Sequence, residues 1–456
     1  MKFQLQYPLL VFALLLYLTT PVHAFFRHLC HGQVGLARVD PIVSPGTIAG
    51  HVHNIQGASG MGFAPTIDQL MNSNCTSCSI VQDKSAYWSP QMYFQHDNGT
   101  FELVPTSGGL TAYYFTERPD VGDQILPFPL NFRMMTGNNL KRTNIGPIPD
   151  PDMSTWGPSD ETQESLMEKS IGFNCLNYLP GTMPEGSLAY HYLRNKTFLD
   201  AQCLDGIRAE IQFPSCWNGK DLDSANHMSH VQYPSRLRDG PCPANFSIRL
   251  PTLFLETIYR TDLFSGVNGQ FVFSNGDPTG YGYHADFIAG WEDGVLEAVI
   301  NDPACTGADV SGNQWDCPVF NLKSVDDPET LSCRMETPDV LKHEVINFVP
   351  VLPGNNPVQS GPQLATGPAP APSLGGLSSD TSEYQVSTST AAPEDSVPLS
   401  SSQTPLTSPP TASTNIVTRT SVTVLAGTVY QWIVIEEVVT VTVTAHMTTE
   451  TSHIQR

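Results

Sequence analysis

Ten cysteines, all between Cys30 and Cys333, constrain this chain more than any other feature. An even number confined to one stretch suits pairing in an oxidising compartment, with up to five bridges and no connectivity implied by order. The N-terminus agrees with that compartment. Lys2 supplies a positive start, residues 9–18 an apolar run, and Val22-His23-Ala24 a small-residue cleavage site. That run is short for a bilayer span, so residues 1–24 read as a signal peptide and no transmembrane anchor is expected. Sequons at Asn74, Asn98, Asn195 and Asn245 are expected to carry N-glycans. The expectation is a secreted protein, extracellular or in a cell wall.

Charge narrows the partners. Against 22 basic side chains stand 44 acidic ones, a net charge of −22. Such a surface lacks the basic patch that nucleic acid or an anionic membrane requires, so neither is expected as a partner.

Short aromatic or β-branched runs, separated by turns rich in the chain's 38 prolines and 35 glycines, predict a mainly β fold. An antiparallel β-sandwich or jelly roll with a few short helices is expected over residues 25–345. Asn98-Gly99, between Tyr93-Phe94 and Phe101-Glu102-Leu103-Val104, is the clearest hairpin turn. Residues 249–259 form the strongest buried-strand signal, and 161–169 and 291–300 are the two helical candidates. From 346 to 456 a Pro/Ser/Thr-rich stalk and a Val/Thr-rich tail are expected to be disordered, the second favouring extended structure.

Chemistry concentrates in residues 212–230, which hold Cys216, Trp217, Asn218, Asp221, Asp223, His227 and His230 and almost nothing aliphatic. Such a stretch is a solvated, disulfide-pinned loop or the lining of a site. Three other segments carry matching residues. His51 and His53 project together if extended, as do His284 and Asp286, and Asp83 precedes Trp88. We expect these residues to converge on one face of the β domain. A histidine or aspartate among His51, His53, Asp83, Asp221, Asp223, His227, His230, His284 and Asp286 would then be the catalytic base. Trp217 would be a sugar platform, with Trp88, Asn218 and Trp291 also binding substrate. Cys75-Thr76-Ser77-Cys78 has no second pair and no βαβ context, so it reads as structural disulfide chemistry rather than a redox or zinc motif.

Three chemistries fit such a cleft. Glycoside hydrolysis needs two carboxylates about 5–9.5 Å apart. A polysaccharide lyase uses a histidine or tyrosine base beside a group that neutralises a uronate. Three of His51, His53, His227, His230 and His284 would be enough for a metal, but their spacing matches no standard signature, so no metal or cofactor is expected. A non-catalytic, glycan-binding wall protein is the alternative to all three.

His51-Val52-His53, the Cys75/Cys78 pair, Tyr87-Trp88-Ser89-Pro90, Phe213-Pro214-Ser215-Cys216-Trp217-Asn218-Gly219, His227-Met228-Ser229-His230 and Gly276-Asp277-Pro278-Thr279-Gly280 occur in that order. Together they resemble a domain of unknown function widespread in secreted fungal proteins, often coupled to WSC-type carbohydrate-binding modules. The resemblance covers roughly residues 25–320. It implies a fungal secreted protein working at cell-wall polysaccharide, and it assigns no catalytic residues. No WSC module is recognisable, because its cysteines would have to lie beyond Cys333.

Overall fold

The computed structural model describes residues 24–117, 124–307 and 310–366, and the backbone of 412–425 and 428–441. The expected signal peptide up to residue 23, and the stalk from 367 to 411, lie outside these residues. The first of two compact units holds 17 described strands, nearly all paired antiparallel. One five-stranded sheet has the order β1 (Phe25–Cys30), β7 (Thr106–Phe115), β14 (Thr252–Tyr259), β10 (Ile207–Gln212), β9 (Ile171–Cys175). The second has the order β2 (Gly35–Ala37), β3 (His53–Gly57), β4 (Ala86–Pro90), β16 (His284–Ile288), β8 (Arg133–Gly137). Smaller sheets are built from β15 (Gly269–Phe273), β5 (Met92–His96), β6 (Phe101–Leu103) and β17 (Phe348–Val349), and from β12 (Val231–Gln232), β11 (Cys216–Trp217) and β13 (Ile248–Arg249).

Alternation along the strands makes the two large sheets a sandwich. Phe26, Leu110, Ala112, Tyr114, Ile211 and Leu253 of the first share one apolar core with Tyr87, Met134, Ala285 and Phe287 of the second. The hydroxyls of Tyr87 and Tyr114 meet at 2.6 Å across it, so the polar tips of two buried rings satisfy one another. The second sheet is also covered on its outer side. There Ile55, Ala86, Trp88 and Ile288 pack against Val39, Ile42, Leu70 and Leu341 in a separate core. Every residue of β3, β4 and β16 is therefore buried.

The hairpin at Asn98-Gly99 forms as expected, with β5 paired to β6 and Gly99 at φ +87°. Helices occur at both expected places, α2 (Gln163–Lys169) and α4 (Val295–Asn301). The described residues hold four more, α1 (Ile67–Met71), α3 (Lys196–Gln202), α5 (Pro303–Thr306) and α6 (Pro328–Ser332). These are too short to show a helical apolar period, and only their caps announce them. Thr66 and Gln69 form a capping box at α1, and Asn195, Asp302 and Asp327 cap α3, α5 and α6.

All ten cysteines pair, as Cys30–Cys78, Cys75–Cys333, Cys175–Cys203, Cys216–Cys242 and Cys305–Cys317. Cys75 and Cys78 thus serve two different bridges. Packing also runs past the expected domain end at 345. Phe348–Val349 extends the β15-β5-β6 sheet, and Val349 and Leu352 are buried. In the second unit, β18 (Ala412–Leu425) and β19 (Thr428–Val441) pair as an antiparallel hairpin, so the Val/Thr-rich tail is extended but paired. Among the described residues no helix is long and apolar enough to cross a membrane.

Cys75–Cys333 closes a sequence separation of 258 residues, the longest loop of the five bridges. Replacing both by serine is expected to cost about 2–5 kcal/mol in denaturant unfolding of the oxidised protein. An unshifted midpoint would mean that this bridge constrains nothing.

Candidate functional site

The outer face of the second sheet carries more than its apolar core. Along β3 the residues on that face include His53 and Ile55, along β4 Trp88 and Pro90, and along β16 His284, Asp286 and Ile288. His53 pairs with Pro90 and Asp286 with Trp88, so continuing the register puts His284 level with Pro90 on the other side. The two imidazoles lean towards each other over the proline, their ring centres 6.0 Å apart. His51, two residues before His53, adds a third ring 4.3 Å from His53 and 5.0 Å from His284. One nitrogen from each ring lies within 4.8 Å of the other two.

All three histidines are buried, His53 completely. Burial pushes His53 down to about 3 and His284 down to about 4, and His51 falls well below the ordinary range for the same reason. At neutral pH the rings are uncharged. Their tautomers follow from their neighbours, because a carbonyl only accepts. His53 Nδ1–H donates to Val39 O at 3.1 Å and His284 Nδ1–H to Gly282 O at 2.9 Å. Both rings therefore turn a lone pair at Nε2 towards the cluster. His51 Nε2 lies 3.1 Å from His284 Nε2 and donates to it. His53 Nε2 has no partner, an omission that costs about 1–3 kcal/mol.

The cluster forms the floor of a cleft of about 540 Å³, whose lining includes His51 and His284 but not His53. Its walls mix polar groups, among them Arg38, Asp40, Asn139, Asn275 and Asn356, with the apolar Val43, Ile48, Met135 and Leu140. One wall is delivered by the polar stretch after Cys216. Its backbone joins the edge of β8, with Arg133 N donating to Leu222 O and Met135 N to His227 O. That attachment, with His227 in the left-handed region at φ +58°, brings His227 to the lining. His227 Nδ1 is 2.8 Å from Asp223 Oδ1. The opposite wall is the segment around 354–366, held by Asn356 Nδ2, which donates to Gly50 O, Ser274 O and Pro353 O.

The expected convergence is thus partial. His51, His53 and His284 meet, Trp88 and Asp286 share their face, and His227 with its partner Asp223 joins the cleft. The others do not. Asp83 and Trp291 belong to a buried network between the sheets, where Asp83 accepts from Tyr87 at 2.6 Å and lies 3.0 Å from His28, while Trp291 Nε1 donates to the Tyr114 hydroxyl. Asp221 accepts from Asn218 Nδ2 and its backbone oxygen from Trp217 Nε1, so these three residues fold the loop onto itself. His230 Nδ1 lies 2.9 Å from the Ser224 hydroxyl, and its ring packs on Phe132.

The aromatic platform is also corrected. Among the described residues no aromatic ring other than histidine lines the cleft. Trp88 and Trp291 are buried, and Trp217 sits edge-on to Phe132. Burial equally removes His53 and His284 as general bases near neutral pH, since their basicity is too low. Residues the sequence reading missed, Arg38, Asp40, Asn139, Asn275 and Asn356, stand in Gly/Pro/Asn-rich turns whose composition signals only a loop. A wider groove of about 860 Å³ lies between α1 and residues 334–339, and of the expected residues only the sequon Asn74 lines it. All four sequon asparagines are exposed.

Fold and site define a disulfide-stapled, mainly β protein with a histidine-floored cleft. Residues 40–291, more than half of the chain, match the family model described as a domain of unknown function (DUF1996), and the chain belongs to that family. The matched span includes all three clustered histidines and His227. No curated protein and no solved structure matches the chain.

Gly354, at φ +85°, fixes the wall that carries Asn356. A Cβ there would lie 1.9 Å from Gly50 O, one residue before His51. Gly354→Ala is expected to lower stability by about 1–3 kcal/mol and to speed proteolysis or amide exchange within 350–366. Unchanged exchange in that segment would contradict its role as a fixed wall.

Proposed function

We propose that the protein is secreted and acts on an acidic extracellular polysaccharide held in this cleft, cleaving it by β-elimination. The reading rests on the composition of the cleft's chemistry: one imidazole at the lining backed by a carboxylate, one guanidinium, and a single lining carboxylate. Hydrolysis of a glycoside needs two carboxylates flanking the bond. Among the described residues Asp40 is the only carboxylate that lines the cleft; it is buried, its Oδ1 accepts from Ile42 N and Val43 N, and burial raises its pKa. Asp286 lies behind the lining. That count disfavours hydrolysis and leaves elimination.

In elimination, His227 is the base. Asp223 fixes Nδ1–H, so Nε2 carries the lone pair. It removes the proton at C5 of a uronate, the C4–O glycosidic bond breaks, and the departing oxygen takes up a proton, leaving a C4–C5 double bond. Arg38 stands on the wall to offset the uronate carboxylate; its Nε already donates to Glu344 and Nη1 to Ala49 O, which hold the guanidinium in place. The asparagines and hydroxyls on the walls suit sugar hydroxyls. A chain of net charge −22 repels a polyanion elsewhere, so added salt, by screening that repulsion, is expected to speed capture.

Incubation with uronic-acid polymers is expected to release products that absorb in the ultraviolet from the new double bond. His227→Gln is expected to reduce the rate by about 10²–10⁴-fold, while the fold, read by circular dichroism, stays intact. New reducing ends without that absorbance would mean hydrolysis and would overturn the reading. Retention on polysaccharide with no product at all would make the cleft a glycan-binding site instead.

A further inference from the structure

We infer that His51, His53 and His284 hold a divalent borderline metal ion, Zn²⁺ or Cu²⁺, at the floor of the cleft, each ligating through Nε2. The inference stands whether or not the cleft acts on a glycan.

Three observations carry it. The first is the donor set. Three imidazole nitrogens approach within 4.8 Å of one another, and two of them lie 3.1 Å apart. Ligands at about 2.0–2.1 Å around a tetrahedral ion stand about 3.3 Å from each other. The same atoms would suit Ca²⁺ or Mg²⁺ poorly, since those ions take oxygen ligands.

The second is the outer partners. Val39 O and Gly282 O each hold an Nδ1–H, which orients the ring and aims the Nε2 lone pair inwards. This is the usual support of a histidine ligand. The third is an unfilled demand. His53 is completely buried, and its Nε2, aimed into the cluster, meets no donor. A metal ion between the rings satisfies that nitrogen and takes the place of the His51 to His284 hydrogen bond.

The surroundings fit a cation and an open coordination position. Asp286 is fully buried on the same face of β16 as His284, and neither of its carboxylate oxygens has a partner. Asp40 lines the cleft beside them. Both acidic groups lie on the side of the sheet that carries the three neutral donors, and ionised beside a divalent ion they would supply its countercharge. Because His51 and His284 reach the lining while His53 lies beneath it, the fourth position faces the cleft, the arrangement of a metal that meets a substrate rather than a purely structural one.

The other cluster of metal-binding residue types, His28 with Cys30 and Cys78, lacks this capacity because its two sulfurs form a disulfide.

The test uses the full secreted chain, stripped with chelator and titrated with Zn²⁺ and separately with Cu²⁺, in the absence of any polysaccharide. Uptake of about one ion per chain is expected, and the Cu²⁺ form should show nitrogen hyperfine structure from imidazoles in its paramagnetic resonance spectrum. His53→Gln and His284→Gln are expected to weaken binding by more than the about 10–100-fold that loss of an outer partner costs. His96→Gln, on the β5 strand of another sheet, should bind as the unaltered protein does. The copper spectrum of the unaltered chain decides the matter even if the buried variants fold poorly. Absence of stoichiometric uptake, a copper spectrum without nitrogen coupling, or undiminished binding by a folded His284→Gln protein would each overturn the site. A failed elimination assay with the metal bound would overturn only the polysaccharide reading.

Discussion

The structure depends on one sheet being buried from both sides. The sheet β2-β3-β4-β16-β8 packs its inner face into the sandwich core and its outer face under residues 34–70 and 333–341. Once both faces are dry, each polar side chain on β3, β4 and β16 must find a partner or carry a desolvation cost. Inner-face groups do so through the Tyr87 and Tyr114 hydroxyls and Asp83. Outer-face groups do so only in part: His53 and Asp286 are among those left without a full complement, and His53 belongs to the cluster that marks the site.

Disulfides make that double burial possible from segments with little apolar content. The covering layer is built of turns, short helices and a C-terminal wall rather than of a third sheet. Cys75–Cys333 joins the segment after α1 to the one after α6, and Cys30–Cys78 ties the edge strand β1 to the same region. With those crosslinks in place, Met335, Leu341 and Val34 cover a sheet face that they would hold weakly as loose loops. The cleft is what remains uncovered where the layer stops, between the turn at 43–51 and the wall at 354–366.

Neutral histidines follow from the same burial. For His53 no cationic neighbour is needed for basicity to fall; removing water from around a cationic ring is enough. Asp40 and Asp286 feel the opposite consequence, their protonated forms being favoured. His227 is set apart by its position, on a loop that sits on the edge of β8 in reach of solvent and paired with Asp223. The lining of one cleft therefore presents two kinds of imidazole, His51 and His284 of the buried cluster and the carboxylate-backed His227.

Much of the fold was legible in the residues. Strand alternation, the Asn98-Gly99 turn, the cysteine count and the pairing of His51 with His53 on one side are local properties, set by a backbone period of two or by the chemistry of a single turn. The partnership of His284 with those histidines was only suggested, since 233 positions separate it from His51. What the sequence could not decide is which polar residues end up dry. Trp217, Asp221 and Asp83 have the same composition of neighbours as His227, yet two turn into their own loop and one into the sandwich interior. Strand register, the edge to which the 218–230 loop attaches, and the disulfide partners of Cys75 and Cys78 settle that. All three are long-range choices made by packing the whole sheet at once, and no stretch of sequence carries them alone.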